Sequence, residues 1–373
     1  NAEIHVGNLT GSYLPADIFA RYQRMRGRNV IFVSGSDSHG TPITVRADAE
    51  KSTPYEVYQR YHAGFIDLFQ KLGLTYDLFT STHTDNHAAV ARTVFMSLKN
   101  NGFLYKESQL QWYSTRQQRF LPDRYVEGTC YICGFEGARS DQCDRCGNIL
   151  EPERLINPKS KIDGSTPELR STEHYFLDLA KLQDLVVEAL KVPESYWRPN
   201  VLRQSLGQIL AEGLRGRPIT RDLDWGISLP QEILAEGKEW ESKCLYVWFE
   251  AVIGYLSASI EWSQLSGNPD AWRSWWQDSD ARCYYFIGKD NIPFHTVFFP
   301  AMIMGQNLPY KLPDEVPANE FFMLEGRQFS KSEGWFIDLE SFFTRYTSDQ
   351  IRYYLAANAP ETYSEHCEPV RAE

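Results

Sequence analysis

What this sequence lacks narrows it first. Across 373 residues no apolar run approaches the roughly 20 residues needed to cross a bilayer, and no signal peptide is visible. A membrane partner is therefore not expected. There is no internal repeat and no low-complexity tract. Basic residues are in deficit: 38 Lys and Arg against 49 Asp and Glu give a net charge of −11. That deficit argues against indiscriminate nucleic-acid binding, while leaving room for a local basic groove. Cysteine is scarce and odd in number, seven in all, with four of them in two tight pairs. This pattern points to a reducing, cytoplasmic setting and a metal site. What the sequence has in quantity is core material, 42% hydrophobic and 14% aromatic. A folded chain of more than one structural unit is expected.

The first informative stretch is His5-Val6-Gly7-Asn8. It reads as the turn after a sheet strand, opening a helix from Asn8 to about Gln23 that stops at Gly27. The apolar run 29–34 then reads as a strand buried in a parallel sheet. Helix followed by strand implies a crossover, so a strand should precede His5, where only four residues stand and the first is not Met. The N-terminus is accordingly expected to be incomplete. In the turn, Gly7 lets a ligand approach backbone, His5 and Asn8 add donors, and the amides of a helix N-terminus favour phosphate. A second signal lies far away, Phe329-Ser330-Lys331-Ser332, in a loop containing Gly and Lys.

Between these two stretches the chain alternates helix-period and strand-like segments. Ser34 to Pro42 puts polar residues at the carboxyl end of a strand, where open α/β sheets bind ligands. Asp37 there suits a cationic amino group and His39 a nucleotide; the plainer reading has Asp37 capping the next helix. Residues 53–72 form an amphipathic helix, 78–80 a short strand and 87–100 a further helix. His62, His83 and His87 show no metal-site spacing. Cys130-x-x-Cys133-Gly and Cys143-x-x-Cys146-Gly, nine residues apart, can place four thiolates around tetrahedral Zn²⁺. Redox pairs or disulfides are the alternatives. Four thiolates leave no open position, so such a zinc would be structural and would stabilise an insertion.

Helices are expected over 180–190, 201–214 and 349–358. Arg221 can pair with a carboxylate or phosphate, or simply make a surface ion pair. Trp248, Ala251 and Tyr255 recur at helical spacing and are either core or one wall of an apolar pocket. A strand ending near Asp290 leads into a helix that carries Ile292 and His295.

Taken as an ordered set, these blocks resemble the methionyl-tRNA synthetase family of class I aminoacyl-tRNA synthetases. His5 to Asn8 and Phe329 to Ser332 stand where that family carries its HIGH and KMSKS signatures. The likeness extends through Ser36 to Pro42, the cysteine knuckle, Trp248 to Tyr255 and Phe294-His295, nearly the whole chain. It implies an α/β fold, a Rossmann-type parallel sheet interrupted by a zinc-knuckle connective insertion. The implied divisions are 1–104 and 219–318 for the two catalytic halves, 105–218 for the insertion with its knuckle at 130–147, and 319–373 for the loop and the start of a helical region. The implied activity is adenylation of methionine by ATP with Mg²⁺, followed by transfer to tRNA. In that reading His5, Gly7, Asn8, His39, Ser330, Lys331 and Ser332 serve ATP, with His5, Asn8 and Lys331 catalytic. Asp37, Arg221, Trp248, Ala251, Tyr255, Ile292 and His295 serve the amino acid, and Cys130, Cys133, Cys143 and Cys146 hold Zn²⁺. No oligomeric state is implied.

The chain also departs from that family. Gln328 replaces the first lysine of the KMSKS-type loop, and losing one transition-state donor costs about 2.7–4 kcal/mol. Phe299 stands where Trp is common. The family's helical anticodon-binding domain is not expected within these residues, and the tail Tyr363 to Glu373 is expected to leave the family pattern. A second reading therefore stands beside the first: a synthetase-like ligase that adenylates an amino acid and passes it to a small amine, as in hydrazine formation, without tRNA.

Overall fold

The computed structural model describes residues 3–140, 143, 145–146, 150–191, 196–328, 335, 337 and 339–361. Helix begins almost at once. α1 (residues 6–25) runs without a break through Val6–Asn8, a π-helical segment Leu9–Tyr13, and Leu14–Met25. Gly27, at φ +75°, ends it as the sequence pattern requires. β1 is Val33–Ser36 and pairs in parallel with β2, Leu78–Ser81. The strand starts later than the apolar run suggests, because its ladder with β2 begins only at Val33.

Two helices join these strands, α2 (Thr41–Glu50) and α3 (Pro54–Leu72). The N-cap of α2 is Gly40 at φ +92°, where a Cβ would press on Val247 Cγ1 at 3.2 Å. Asp37 is thus left free of the capping role. α3 opens with a reciprocal cap: Thr53 Oγ1 accepts from the Glu56 amide at 3.2 Å, and Glu56 Oε2 accepts from the Thr53 amide at 2.8 Å. α4 (Asp85–Asn100) is capped by Thr84, whose Oγ1 accepts from the His87 amide at 3.1 Å.

The middle of the chain leaves this layer. β3 (Leu104–Ser114) pairs antiparallel with β6 (Glu168–Leu177), and a smaller sheet joins β4 (Val126–Thr129) to β5 (Ile156–Ser160). The smaller sheet has its own core of Trp112, Leu121, Tyr125, Val126, Leu150 and Leu155, beside Cys130 and Cys143. α5 (Leu179–Lys191) and α6 (Pro199–Glu212) lead back, followed by the antiparallel pair β7 (Thr220–Arg221) and β8 (Cys244–Leu245). α7 (Val247–Glu250) passes through a 3₁₀ turn, Ala251–Ile253, into α8 (Gly254–Leu265).

A second parallel pair follows, β9 (Ile287–Gly288) with β10 (Ala318–Asn319). Between them runs α9 (residues 294–305), made of a π-helical segment Phe294–Phe298 and Phe299–Gly305. The hairpin β11 (Met323–Leu324) and β12 (Arg327–Gln328) precedes α10 (Leu339–Arg345) and α11 (Ser348–Ala357). The α/β organisation with parallel pairing is therefore as expected. The facing edges of the two parallel pairs border a cavity of about 1060 Å³, lined by residues 28–35 on one side and 281–288 on the other. Val6 and Leu9 of α1 share a core with Phe69 of α3, Phe322 beside β11, and Ile351 of α11. The two ends of the chain are thereby packed together. Among the described residues no helix is long and apolar enough to cross a membrane.

Candidate active site

The N-terminal turn is held by the chain's own groups. The His5 amide donates to Asn8 Oδ1 at 3.1 Å, while Asn8 stays exposed and Val6 is buried. One turn later the π-helical geometry releases carbonyls from the usual ladder. Asn319, buried at the end of β10, donates its Nδ2 to Thr10 O at 3.2 Å and Gly11 O at 3.1 Å. Its Oδ1 accepts from Arg198 Nη1 at 2.9 Å. This joins the first turn of the chain to β10.

Above the carboxyl ends of the strands, Tyr13, Asp37, Ala251, Tyr255, Asn291 and His295 line the upper part of the cavity. The exposed surface of Asp37 opens on that cavity. Burial at its floor, then the charge of Glu250, push the Asp37 carboxyl up to about 7, and His39 opposes them. His295 Nδ1 lies 2.9 Å from Asn291 O, and a carbonyl can only accept. Nδ1 therefore carries the proton. Burial pushes the His295 imidazolium down to about 4, so the ring is neutral at pH 7 and its Nε2 is an acceptor. Tyr255 then donates its hydroxyl to Nε2 at 2.8 Å. The result is a polar pair without net charge, set in aromatic walls. Tyr285 stands edge-on to Tyr255 at 5.0 Å, and Phe299 backs both rings at 6.2 and 5.9 Å.

Other sequence-predicted residues are placed elsewhere. Trp248 is half exposed, packs against Phe294 at 4.3 Å and does not line the cavity. Ile292 is buried in the main core behind it. Arg221 lies over the Tyr246 ring at 4.1 Å, on β7. His39, expected at the nucleotide, makes its hydrogen bonds within the protein. It is buried, its Nδ1 bonds Glu250 Oε1 at 2.8 Å, and its Nε2 bonds His83 Nδ1 at 3.0 Å. Both ring nitrogens are committed within the protein. Ser330, Lys331 and Ser332 lie outside the described residues.

The sequence reading passed over Glu250. This fully buried carboxylate on α7 also bonds His87 Nε2 at 2.8 Å through its second oxygen. The available signal was an acid inside the apolar run Val247 to Ile253, which has no business in a core without a partner. His83, in turn, stacks on Trp225 at 4.6 Å.

In the lobe of the smaller sheet, Cys130, Cys133, Cys143 and Cys146 present four sulfurs within 4.8 Å of one another. Cys130 Sγ and Cys146 Sγ are 4.0 Å apart, Cys133 Sγ and Cys143 Sγ 3.6 Å. Zn–S bonds of about 2.3 Å in a tetrahedron put sulfurs about 3.8 Å apart. The donor set fits a closed zinc site, and sulfur pairs at these distances are not disulfides.

Comparison with known proteins matches residues 1–368 to the family described as tRNA synthetases class I (M). A methionine–tRNA ligase of Roseiflexus sp. (strain RS-1) is 54% identical over 368 residues, covering 97% of this chain and 61% of the relative. That of Thermomicrobium roseum is 50% identical over 362 residues, with the same coverage. The chain thus spans about three fifths of the length of these relatives. A Mycobacterium tuberculosis methionyl-tRNA synthetase, solved bound by methionyl-adenylate, superposes with a TM-score of 0.69 at 23% identity, over 95% of this chain and 61% of that one. A second structure, of that synthetase in complex with methionyl-adenylate, gives 0.70 at 24%, with the same coverage. At such identity the superpositions speak for the fold. With the family match running through 368 of 373 residues and relatives at half identity, this chain belongs to the class I tRNA synthetases of the methionine (M) type.

Proposed function

We propose that this chain joins L-methionine to the adenylyl group of ATP and passes the methionyl group to the terminal ribose of tRNA. The observation that carries this reading is the identity of 47–54% across 97% of the chain to proteins named methionine–tRNA ligase. Two solved structures of the same fold hold methionyl-adenylate, the product of such a first step. Nothing in these relatives favours transfer to a small amine.

In this reading the reaction needs orientation more than it needs a nucleophile. The methionine carboxylate attacks the α-phosphorus in line, the bond to the bridging oxygen breaks, and pyrophosphate leaves with its Mg²⁺. The amides at the start of α1, with His5 and Asn8, face the phosphates. Asp37 as carboxylate holds the α-ammonium and thereby aims the reacting carboxylate. Ala251, Tyr255 and His295 receive the thioether side chain; a neutral, aromatic wall suits a polarizable group with little hydrogen-bonding capacity. His39 is withdrawn from the nucleotide contacts, since a direct bond to ATP would break one of its two internal hydrogen bonds. Lys331 would reach the pyrophosphate from the loop after β12. Trp248, Ile292 and Arg221 support or flank the pocket without lining it. A zinc ion on the four cysteines would close the inserted lobe and take no part in the chemistry.

The test is pyrophosphate exchange into ATP, measured across a panel of amino acids with the chain as it stands. Exchange dependent on methionine is expected, followed by charging of methionine tRNA. A folded chain that supports exchange with a different amino acid, or with none, overturns the reading.

A further inference from the structure

Lys243 and Asp222 do not line the cavity, yet the chain buries them as an ion pair, with side chains 3% and 5% exposed. A buried pair is a weak stabiliser, since desolvation offsets the attraction and two apolar residues often do as well. Its best-attested use is to fix register. Here the register needs fixing. β7 and β8 match only Thr220 with Leu245 and Arg221 with Cys244, and Asp222 stands opposite Lys243 one position beyond. Such a ladder is far shorter than the usual strand of about five or six residues. A slip by one residue would turn every side chain to the other face.

The pair is held on a third side by β6. Lys243 Nζ donates to Asp222 Oδ1 and, at 2.6 Å, to Thr172 Oγ1; Thr172 Oγ1 donates to Asp222 Oδ2 at 2.9 Å. His174 Nε2 lies 3.1 Å from that same oxygen, and its Nδ1 lies 3.0 Å from Thr220 Oγ1. Both legs of chain that leave this bracket run to the proposed site. Three residues beyond Asp222, Trp225 Nε1 donates to Ser38 O at 2.8 Å, on the residue next to Asp37. Four residues beyond Lys243, Val247 opens α7 against Gly40, at the end of the same loop. Ala251 and Tyr255, which line the cavity, follow from there.

We infer that Lys243 and Asp222 are positioning residues for the amino-acid pocket: by fixing the register of β7 on β8 they set the Trp225 and Val247 contacts that hold the Asp37 loop, and they aim α7 and α8 at the cavity. The pair acts through those elements. This deepens the amino-acid-activation reading and rests on it for the identity of the ligand. The turn at the start of α1 is braced separately, by Asn319 of β10. Methionine binding should therefore depend on the pair, and ATP binding should not.

The test replaces the ion pair by a neutral pair of similar size, Asp222→Asn with Lys243→Met. The amide oxygen can still accept from Thr172, and no unpaired charge is left buried, so the chain should fold with Tm near the parent's. In pyrophosphate exchange, KM for methionine should rise by about ten- to a hundredfold, the cost of misplacing bound groups by up to about 1 Å. KM for ATP and kcat should stay within about twofold. Thr172→Val keeps shape and ion pair but removes the tie to β6, and should move KM for methionine the same way by less. A readout that needs no ligand is the ¹⁵N-indole NMR signal of Trp225, identified by its loss in Trp225→Phe. In the neutral variant its indole proton should exchange with solvent about tenfold faster, as the contact with Ser38 loosens. A folded neutral variant with the parent's KM for methionine overturns the inference. So does a rise shared equally with ATP and accompanied by a fall in Tm, which marks a structural role only. Should the neutral variant not fold, an unchanged KM in Thr172→Val overturns the inference alone. A parent chain without methionine-dependent exchange overturns the activation reading instead; the Trp225 exchange rate then decides the register claim, which falls if parent and neutral variant coincide.

Discussion

Removing one oxygen from Tyr255 tests the amino-acid pocket most sharply. In the parent chain His295 Nδ1 donates to Asn291 O, and Nε2 accepts from the Tyr255 hydroxyl at 2.8 Å. Tyr255→Phe keeps the ring and its packing against Tyr285 and Phe299, and leaves Nε2 without a donor. With the cavity empty, water can replace the lost hydroxyl. With a thioether seated there, it cannot. An orphaned buried acceptor costs about 1–3 kcal/mol, which at 1.4 kcal/mol per decade is about a 5- to 150-fold loss of methionine affinity. The reacting carboxylate is held elsewhere, by way of Asp37, so kcat should change little. The assay is the rate of methionine-dependent pyrophosphate exchange against methionine concentration at saturating ATP. KM should rise within that range with kcat within about twofold. Because burial holds the His295 ring neutral down to about 4, the penalty should be constant between pH 5 and 8. The same depressed value makes unfolded His295 bind more protons than folded, so its contribution to stability rises as pH climbs from about 4 to about 6.5. An unchanged KM, or a fall in kcat at constant KM, would refute the assigned tautomer and the pocket built on it.

Asp17, fully buried on α1, accepts from the Thr75 amide and Oγ1 at 2.7 Å each, from Arg21 Nε at 2.9 Å and from Arg352 Nη2 of α11 at 2.6 Å. Asp17→Ala should cost about 3–5 kcal/mol, lowering Tm by roughly 4–6 °C for a chain of this length. Burial alone would raise this carboxyl, but Thr75, Arg352 and Arg21 hold it below its ordinary value, so the parent's advantage is full at neutral pH and fades as pH falls through the folded value. A loss under about 1 kcal/mol in urea unfolding would contradict this. Folded protein should carry one equivalent of zinc by chemical assay, and stripping it should unravel the lobe around Trp112, Tyr125 and Tyr131, seen as altered aromatic circular dichroism; metal well below one equivalent rules this out. Gln328→Lys should speed pyrophosphate exchange by restoring a positive donor near the leaving group, up to about 10²-fold. An unchanged kcat would mean that the chain already supplies this charge from another residue.

How far the sequence carried this reading depends on whether each signal is local. Cys-x-x-Cys-Gly repeated at short spacing brings sulfurs together by turn geometry alone, and the four sulfurs do lie within 4.8 Å. Helix caps were less legible: Asp37, weighed as a cap, is not one, and the reciprocal cap of Thr53 with Glu56 was not read. Nor was the place of Trp248 legible. An unbroken α-helix would put residues 248, 251 and 255 on one face, but residues 251–253 turn as 3₁₀. That break falls between Ala251 and Tyr255, yet these two line the cavity while Trp248, a turn before it, is half exposed and packs on Phe294. Likewise β1 could not be bounded from composition, since the apolar run begins several residues before the ladder with β2. Glu250 and its two histidines lie 211 and 163 positions apart in sequence, and no spacing rule reaches that far.

The same limit explains where the site draws its rigidity. Two π-helical segments, Leu9–Tyr13 and Phe294–Phe298, flank the cavity, and each widens a helix by an extra residue. The first exposes Thr10 and Gly11 carbonyls, which Asn319 takes from 309 and 308 positions away. In the second, Thr296 returns its hydroxyl to Ile292 O at 2.8 Å and meets Ser205 Oγ of α6 at 2.8 Å, while His295 Nδ1 reaches Asn291 O. In the first segment a side chain from a distant element collects the displaced carbonyls; in the second the segment's own Thr296 and His295 collect them, and Ser205 of α6 braces Thr296. Both turns are thus set by tertiary contacts: the turn proposed to face phosphate by β10 and α6, the proposed side-chain pocket by α6 and α8. Arg198, at the start of α6, bonds Asn319, and Ser205, two turns on, bonds Thr296. A single helix, α6, therefore braces both halves of the proposed site.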